Sequence, residues 1–186
     1  MKLVKELRDF FLLLDKKGKW VENLEVTEKL WKEMMEEIVI RRIPKLLDCA
    51  ERLLHAGGDE SICAGLYTYA IEEYGKLLLL KQYSPVNGKV HIKFRYCFRT
   101  HGPKFRIAIR NLPKECTTLR KGVFDPGIFD KKIFDVGQTA DSEARLTTFY
   151  SDFTDSADSI RSVPSVDIDC LQNAIKQFKI LVSNFR

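Results

Sequence analysis

This chain has few histidines and cysteines, and it lacks the common metal-binding and nucleotide-binding motifs. Its 186 residues include three histidines and five cysteines, and the cysteines are scattered, without a CxxC pair or a histidine at ligand spacing. That pattern is typical of reduced thiols, not of a disulfide framework or a zinc site. The sequence also lacks a Gly-rich phosphate loop, an HExxH motif and a GxSxG motif. We therefore expect no cofactor.

Long apolar runs are missing as well. The run from Phe10 to Leu14 has charged residues close to both ends, and it is too short for a signal core or a membrane span. Lys and Arg exceed Asp and Glu enough to give a formal charge of +5, which is compatible with an anionic partner such as RNA but does not require one. We expect a cytoplasmic protein that does not enter a membrane.

Hydrophobic residues make up 45% of the chain, enough for one well-buried core but not for two independent domains. Their helical spacing predicts an all-α bundle of four to five main helices with a long ordered loop. We assign one domain, residues 1–186. It comprises an accessory helix within 1–20, a core formed by 27–112 and 141–186, and a loop or insertion at 113–140.

Capping and breaking residues locate the first helices. Residues 2–14 can form a short amphipathic helix, and Thr27 is a candidate N-cap for the next one. Pro44 interrupts that segment, and it either kinks one long helix or opens a second helix with the same buried face. Gly57-Gly58 ends the segment.

The central helix is predicted from Asp59 or Ser61 to about Tyr83, and it is the most apolar of the chain. One stripe at helical spacing should face the core. This stripe consists of Ile62, Leu66, Tyr69, Glu73, Leu77 and Leu80.

Two adjacent acids lie in the middle of this helix. Glu73 belongs to the apolar stripe, where a carboxylate is costly unless it is paired. We expect it to face the bundle with a partner among Lys76, His101 and Lys104. Glu72 lies off the stripe, so we expect it to be solvated and to form an ordinary ion pair with Lys76, four residues on.

Residues 90–96 alternate between apolar and polar after a turn at 84–89. The alternation suits a short strand, but no pairing partner is obvious, so we favour an irregular or helical segment. Gly102-Pro103 then indicates a helix start with proline at its first position, which places His101 just before that helix.

The last third of the chain is less regular until its end. Asp141 or Ser142 can cap a helix that runs to about Phe149, and Asp167 can cap the final helix. The residues of the final helix that should face the core are Ile168, Leu171, Ile175, Phe178 and Leu181 or Val182.

A basic segment carries the candidate chemistry. Arg95, Arg99, His101 and Lys104 fall within ten positions. Histidine can act as general base or acid at the 2′-hydroxyl of RNA, while arginine and lysine stabilise charge on the phosphate. A solvated basic surface is the alternative explanation. Arg145, near Tyr150 and Asp152, is by itself an ordinary surface combination.

Several stretches together resemble the AbiV-type abortive infection proteins of the HEPN superfamily. Many members of that superfamily of helical bundles are metal-independent ribonucleases in toxin, antiphage and RNA-processing systems. The resemblance covers roughly residues 45 to 182. It is carried by YAIEEYGK at 69–76, THGPK at 100–104, Arg145, FYSD at 149–152 and PSVD at 164–167.

The resemblance implies a HEPN-like bundle that acts on RNA in antiviral defence or as the toxin of a toxin–antitoxin pair. Arg95 and His101, with five residues between them, match the catalytic signature of the superfamily, although Tyr96 replaces the polar residue that usually follows the arginine. The implied phosphate-contacting or site-orienting residues are Lys104, Glu73, Lys76, Glu72, Arg99 and Arg145.

The resemblance also implies partners. A homodimer would build a composite cleft from the motifs of two protomers, and an antitoxin or a phage protein would bind it. Two other functions remain open. One is a non-catalytic helical interaction module that inhibits a host or phage process by protein binding, with the same polar residues as a buried structural network. The other is a small-nucleotide sensor.

Overall fold

The computed structural model describes residues 23–117 and 167–185. The predicted helices at 2–14 and 141–149, and the predicted loop beyond residue 117, lie outside these ranges. The described elements are β1 Asn23–Thr27, α1 Glu28–Glu37, π1 Ile38–Arg42, α2 Ile43–His55, α3 Glu60–Leu80, β2 Lys89–Lys93, π2 Arg95–Arg99, α4 His101–Asn111, α5 Lys114–Thr117 and α6 Ile168–Ser183.

The predicted helix boundaries are confirmed at their caps. Thr27, Asp59 and Asp167 each accept a hydrogen bond from the backbone N–H three residues on, at 3.2, 3.1 and 3.0 Å respectively. Gly57 has a φ of +69°, and the N–H groups of Gly57 and Gly58 donate to carbonyls of the last turn of α2. This arrangement is a Schellman stop, and it turns the chain directly from α2 into α3.

Pro44 does not divide the helix in two. The chain continues through α1, π1 and α2 as one helix of 28 residues. Just before the proline the helix widens into a π turn, in which the Ile43 N–H donates to the Ile38 carbonyl. Pro44 has no N–H, and its ring would crowd the carbonyl one α-helical turn earlier. The wider turn therefore accommodates the proline without ending the helix.

A small antiparallel sheet corrects the all-α prediction. β1 pairs with β2, with Leu24 opposite Ile92 and Val26 opposite Val90. These four side chains are buried, and the residues between them are exposed. The expectation of an irregular or helical segment is thus wrong for 89–93, and helical geometry begins only with π2. The described fold is mostly helical with this two-stranded sheet.

α3 lies at the centre of the helices, with α2 and α4 packed along it and α6 completing the core. The predicted stripe is only partly correct, because Ile62 is 46% exposed while Leu77 and Leu80 are buried. The buried residues of α3 surround most of the helix. They are Cys63, Ala64, Gly65, Tyr67, Ala70, Ile71, Glu72, Tyr74, Gly75, Lys76, Leu77, Leu79 and Leu80.

α6 follows its predicted pattern except at its start. Leu171, Ile175, Phe178 and Val182 are buried, but Ile168 is 41% exposed. None of the helices in the described ranges is both long enough and apolar enough to span a bilayer.

Candidate active site

α3 and α4 touch at a glycine. A Cβ atom on Gly75 would lie 1.9 Å from the carbonyl oxygen of Lys104, a distance that only a residue without a side chain avoids. Glycine inside a helix costs about 1 kcal/mol relative to alanine. Here it lets the backbone of α4 rest directly on α3. The first turn of α4 is thereby held against the turn of α3 that carries both acids.

Glu72, not Glu73, connects the two helices. It is 6% exposed, and its Oε1 accepts hydrogen bonds from His101 Nδ1 at 2.7 Å and from Lys104 Nζ at 2.6 Å. The prediction of a solvated Glu72 paired with Lys76 is therefore wrong. α3 has neighbours on several sides, so a residue off the apolar stripe still points into protein. His101 is the first residue of α4, not the residue before it, and Thr100 is its N-cap.

The buried carboxyl of Glu72 is ionised. Burial alone would raise its pKa, but the hydrogen bond from His101, together with the charge and hydrogen bond of Lys104, outweighs burial and lowers the pKa of Glu72 to about 2. Lys104 is 1% exposed, and its ammonium also lies 3.4 Å from the carbonyl oxygen of Phe98. A buried cation thus neutralises a buried anion in the same place.

The hydrogen bond of His101 determines what its ring can do. A carboxylate only accepts hydrogen bonds, so Nδ1 carries the proton and Nε2 is the basic nitrogen. The side chain of His101 is 25% exposed, which means that the ring borders solvent while Glu72 is buried. An imidazole oriented by a carboxylate is an arrangement that suits general acid–base catalysis.

Glu72, His101 and Lys104 form one ion cluster, and Glu73, Lys76 and Arg42 form a second one next to it on α3. Glu73 is half-buried and forms a close ion pair with Lys76, one of the three partners expected for it. Arg42 Nη1 lies 3.7 Å from the other oxygen of Glu73. The Lys76 ammonium lies 5.9 Å from the centre of the Phe98 ring. Burial lowers the pKa of Lys76, Glu73 opposes this shift, and the nearby charges of Lys104 and Arg42 add to it.

The Arg95 side chain is not part of these clusters. Arg95 is exposed. Its carbonyl oxygen accepts one hydrogen bond from the backbone N–H of Thr100 at 2.9 Å and another from the side-chain hydroxyl of Thr100 at 3.1 Å. Within the described residues the Arg95 side chain forms no ion pair or hydrogen bond. Arg99 is the last residue of π2, and Arg145 lies outside the described residues.

Sequence reasoning missed the roles of Gly75 and Arg42. A glycine inside the most apolar helix was the signal for a close helix contact, because such a residue weakens a helix unless the space is needed. Arg42 gave no such signal. It belongs to an exposed Arg-Arg pair, and only the contact of π1 with α3 brings it to Glu73.

In the described parts of the chain, no three His, Cys, Asp or Glu side chains converge in a way that could hold a metal ion. The chain matches no protein-family model, no curated protein and no solved structure.

Proposed function

We propose that this protein is an AbiV-like, HEPN-type endoribonuclease of a prokaryotic antiphage or toxin system, which cleaves RNA without a metal ion. The observation that carries the proposal is the 2.7 Å hydrogen bond between His101 Nδ1 and the buried, ionised Glu72. It orients a partly exposed imidazole. The basic excess of the chain suits an RNA substrate.

The proposed reaction begins with proton transfer to His101. Nε2 takes the proton of a 2′-hydroxyl, and the 2′-oxygen attacks the adjacent phosphorus. The bond from phosphorus to the 5′-oxygen breaks, and that oxygen takes a proton from solvent, leaving a 2′,3′-cyclic phosphate and a 5′-hydroxyl. Glu72 stabilises the imidazolium that forms, as a carboxylate behind a catalytic histidine does.

The cationic residues receive different roles in this scheme. Arg95 is exposed and would contact the phosphate from the turn before α4, with Arg99 and Arg145 as further phosphate contacts. Lys104 acts as a positioning residue and not as a phosphate contact, because at 1% exposure its ammonium cannot reach RNA and instead pairs with Glu72. The proposed ribonuclease acts as the homodimer that the resemblance implies, in which a two-fold axis would bring two copies of His101 to one cleft.

RNA cleavage in the presence of EDTA tests the proposal. We expect the wild type to cleave single-stranded RNA, and His101→Ala to lower the rate by about a hundredfold or more. His91→Ala is the matched control, because His91 is an exposed histidine on β2 whose ring lies 3.7 Å from Glu25. It should retain full activity. Cleavage that survives His101→Ala would remove this residue from the mechanism.

A non-catalytic interaction module is the second candidate. The complete burial of Lys104 favours it, since an ion pair at 1% exposure also serves purely to hold α3 and α4 together. Under this alternative no variant cleaves RNA, while His101→Ala still lowers the melting temperature. A wild-type protein that is folded but inactive on total RNA would favour the module.

A further inference from the structure

Arg42 lies at the edge of the two ion clusters and reaches into solvent. It is the last residue of the π1 turn, and 54% of its side chain is exposed, compared with 15% for Glu73. Its Nη1 is 3.7 Å from Glu73 Oε2. Within the described residues that oxygen accepts no hydrogen bond. The pair is therefore an electrostatic contact without a hydrogen bond, a weak interaction for an exposed arginine.

Glu73 does not need Arg42 to balance its charge. Lys76 already forms the close ion pair with Glu73, and Lys104 does the same for Glu72. The two buried lysines thus match the two carboxylates, and Arg42 is a surplus positive charge beside them. Burial is the main cause of the lowered pKa of Lys76, and the charge of Arg42 makes a smaller contribution in the same direction.

Arg42 and Lys104 share a neighbour, because the charges of both act on the Lys76 ammonium. Glu73, which holds Arg42, is adjacent in sequence to Glu72, which holds His101. A guanidinium can form two parallel hydrogen bonds to a phosphate, whereas here it makes none to Glu73. An RNA phosphate therefore offers Arg42 a better partner than its present one.

We propose that Arg42 is a substrate-binding residue, which turns from Glu73 to a backbone phosphate of the RNA that approaches His101. The inference rests on the proposed ribonuclease function and adds a binding residue to it. Arg42 lies outside the stretches that resemble AbiV proteins. Its contact with phosphate strengthens binding of any RNA sequence, since phosphates carry no sequence information.

The test is an equilibrium titration of a fluorescently labelled, 2′-O-methylated single-stranded RNA, which cannot be cleaved through its 2′-oxygens. The full-length wild type, Arg42→Gln and Arg41→Gln are compared by anisotropy over a range of salt concentrations. Arg41 is the matched control, because it is the preceding residue, its side chain is 64% exposed, and it pairs with Glu37 at 3.3 Å on its own helix. Both variants remove one positive charge.

We expect Arg42→Gln to raise the Kd by about three- to tenfold and to lower the salt slope by about 0.7, the loss of one phosphate contact on a single strand. Arg41→Gln should stay close to the wild type. Equal effects of the two variants would overturn the role of Arg42, while the cleavage assay with His101→Ala would still support the ribonuclease. A wild type that binds no RNA would overturn both proposals.

Discussion

At the residue scale, one oxygen atom takes part both in the proposed catalytic site and in an ion pair that stabilises the fold. Glu72 Oε1 receives hydrogen bonds from His101 at 2.7 Å and from Lys104 at 2.6 Å. Because Lys104 is buried, it depends on this carboxylate for neutralisation. Replacing Glu72 removes both the group that orients the imidazole and the counter-charge of the lysine.

The stability that Glu72 provides should depend on pH. Its pKa is lowered from 4.5 to about 2 in the folded chain, so its contribution is complete above pH 4.5 and is lost as the pH falls toward 2. That shift corresponds to about 3 kcal/mol. We expect Glu72→Gln to lower the free energy of unfolding by this amount at pH 7, and the difference from the wild type to shrink below pH 4.5.

Urea unfolding of both proteins over this pH range measures the difference. Glu25→Gln is a suitable control, because Glu25 is an exposed acid on β1 that pairs with Lys89 at 2.6 Å, and its removal should change little. A stability gap between Glu72→Gln and the wild type that stays constant from pH 7 to pH 3 would contradict the ionised state of Glu72.

The sequence singled out the acid pair and the Lys76 partner of Glu73, but it did not predict that Glu72 is the acid that contacts His101. Spacing placed Glu73 on the core face, yet Glu73 is only half-buried, whereas Glu72 is 6% exposed. A period in the sequence identifies one buried side of a helix. Other elements pack against α3 on several sides. The spacing of its apolar residues therefore does not distinguish the face toward α4 from the face toward π1.

At the element scale, the contact between α3 and α4 leaves no free space. Gly75→Ala would place a methyl group 1.9 Å from the Lys104 carbonyl oxygen, so the two helices must separate. We expect a loss of about 2–3 kcal/mol or more in the free energy of unfolding, although alanine favours a helix. The shift of α4 should also lower RNA cleavage.

Gly88→Ala is the control for this prediction. Gly88 has a φ of +73° and open space around its Cβ position, so its substitution costs only backbone strain, about 1 kcal/mol. Thermal unfolding of both variants measures the contrast. A Gly75→Ala protein as stable as the wild type would show that α3 and α4 are farther apart than described.

Element types were predictable where local chemistry decides them. Thr27, Asp59 and Asp167 are capping residues, and each begins a helix because its side chain binds a nearby N–H. β2 was not predicted, since its stability comes from β1, far earlier in the chain. A strand depends on a partner that local sequence does not reveal.

At the scale of the whole molecule, Tyr67 connects three helices. Its hydroxyl is in close hydrogen-bond contact with the Cys116 carbonyl oxygen in α5 and lies 3.5 Å from the Ala174 carbonyl oxygen in α6. Its ring packs edge-on against Phe178, with 5.9 Å between ring centres. Tyr67 is fully buried, so these carbonyl groups have no ready access to water.

We expect Tyr67→Phe to lower the free energy of unfolding by about 1–2 kcal/mol, because a buried carbonyl loses its donor while the ring packing remains. Lys179→Met is the comparison. Lys179 also links distant helices, with Asp48 at 2.6 Å and Glu51 at 2.7 Å, but these side chains are partly exposed, and its loss should cost less than about 1 kcal/mol. Chemical denaturation ranks the two variants, and the reverse order would contradict the role of Tyr67.

The atom shared by His101 and Lys104 restricts how this protein can change over evolution. Under the proposed function, a substitution at Glu72 would alter activity and folding together, so selection could not adjust one without the other. Arg42 is under no such restriction, since it is exposed and its partner Glu73 is already paired with Lys76. Under the proposed function, the affinity for RNA can therefore change through Arg42 while the pairs around Glu72 stay the same.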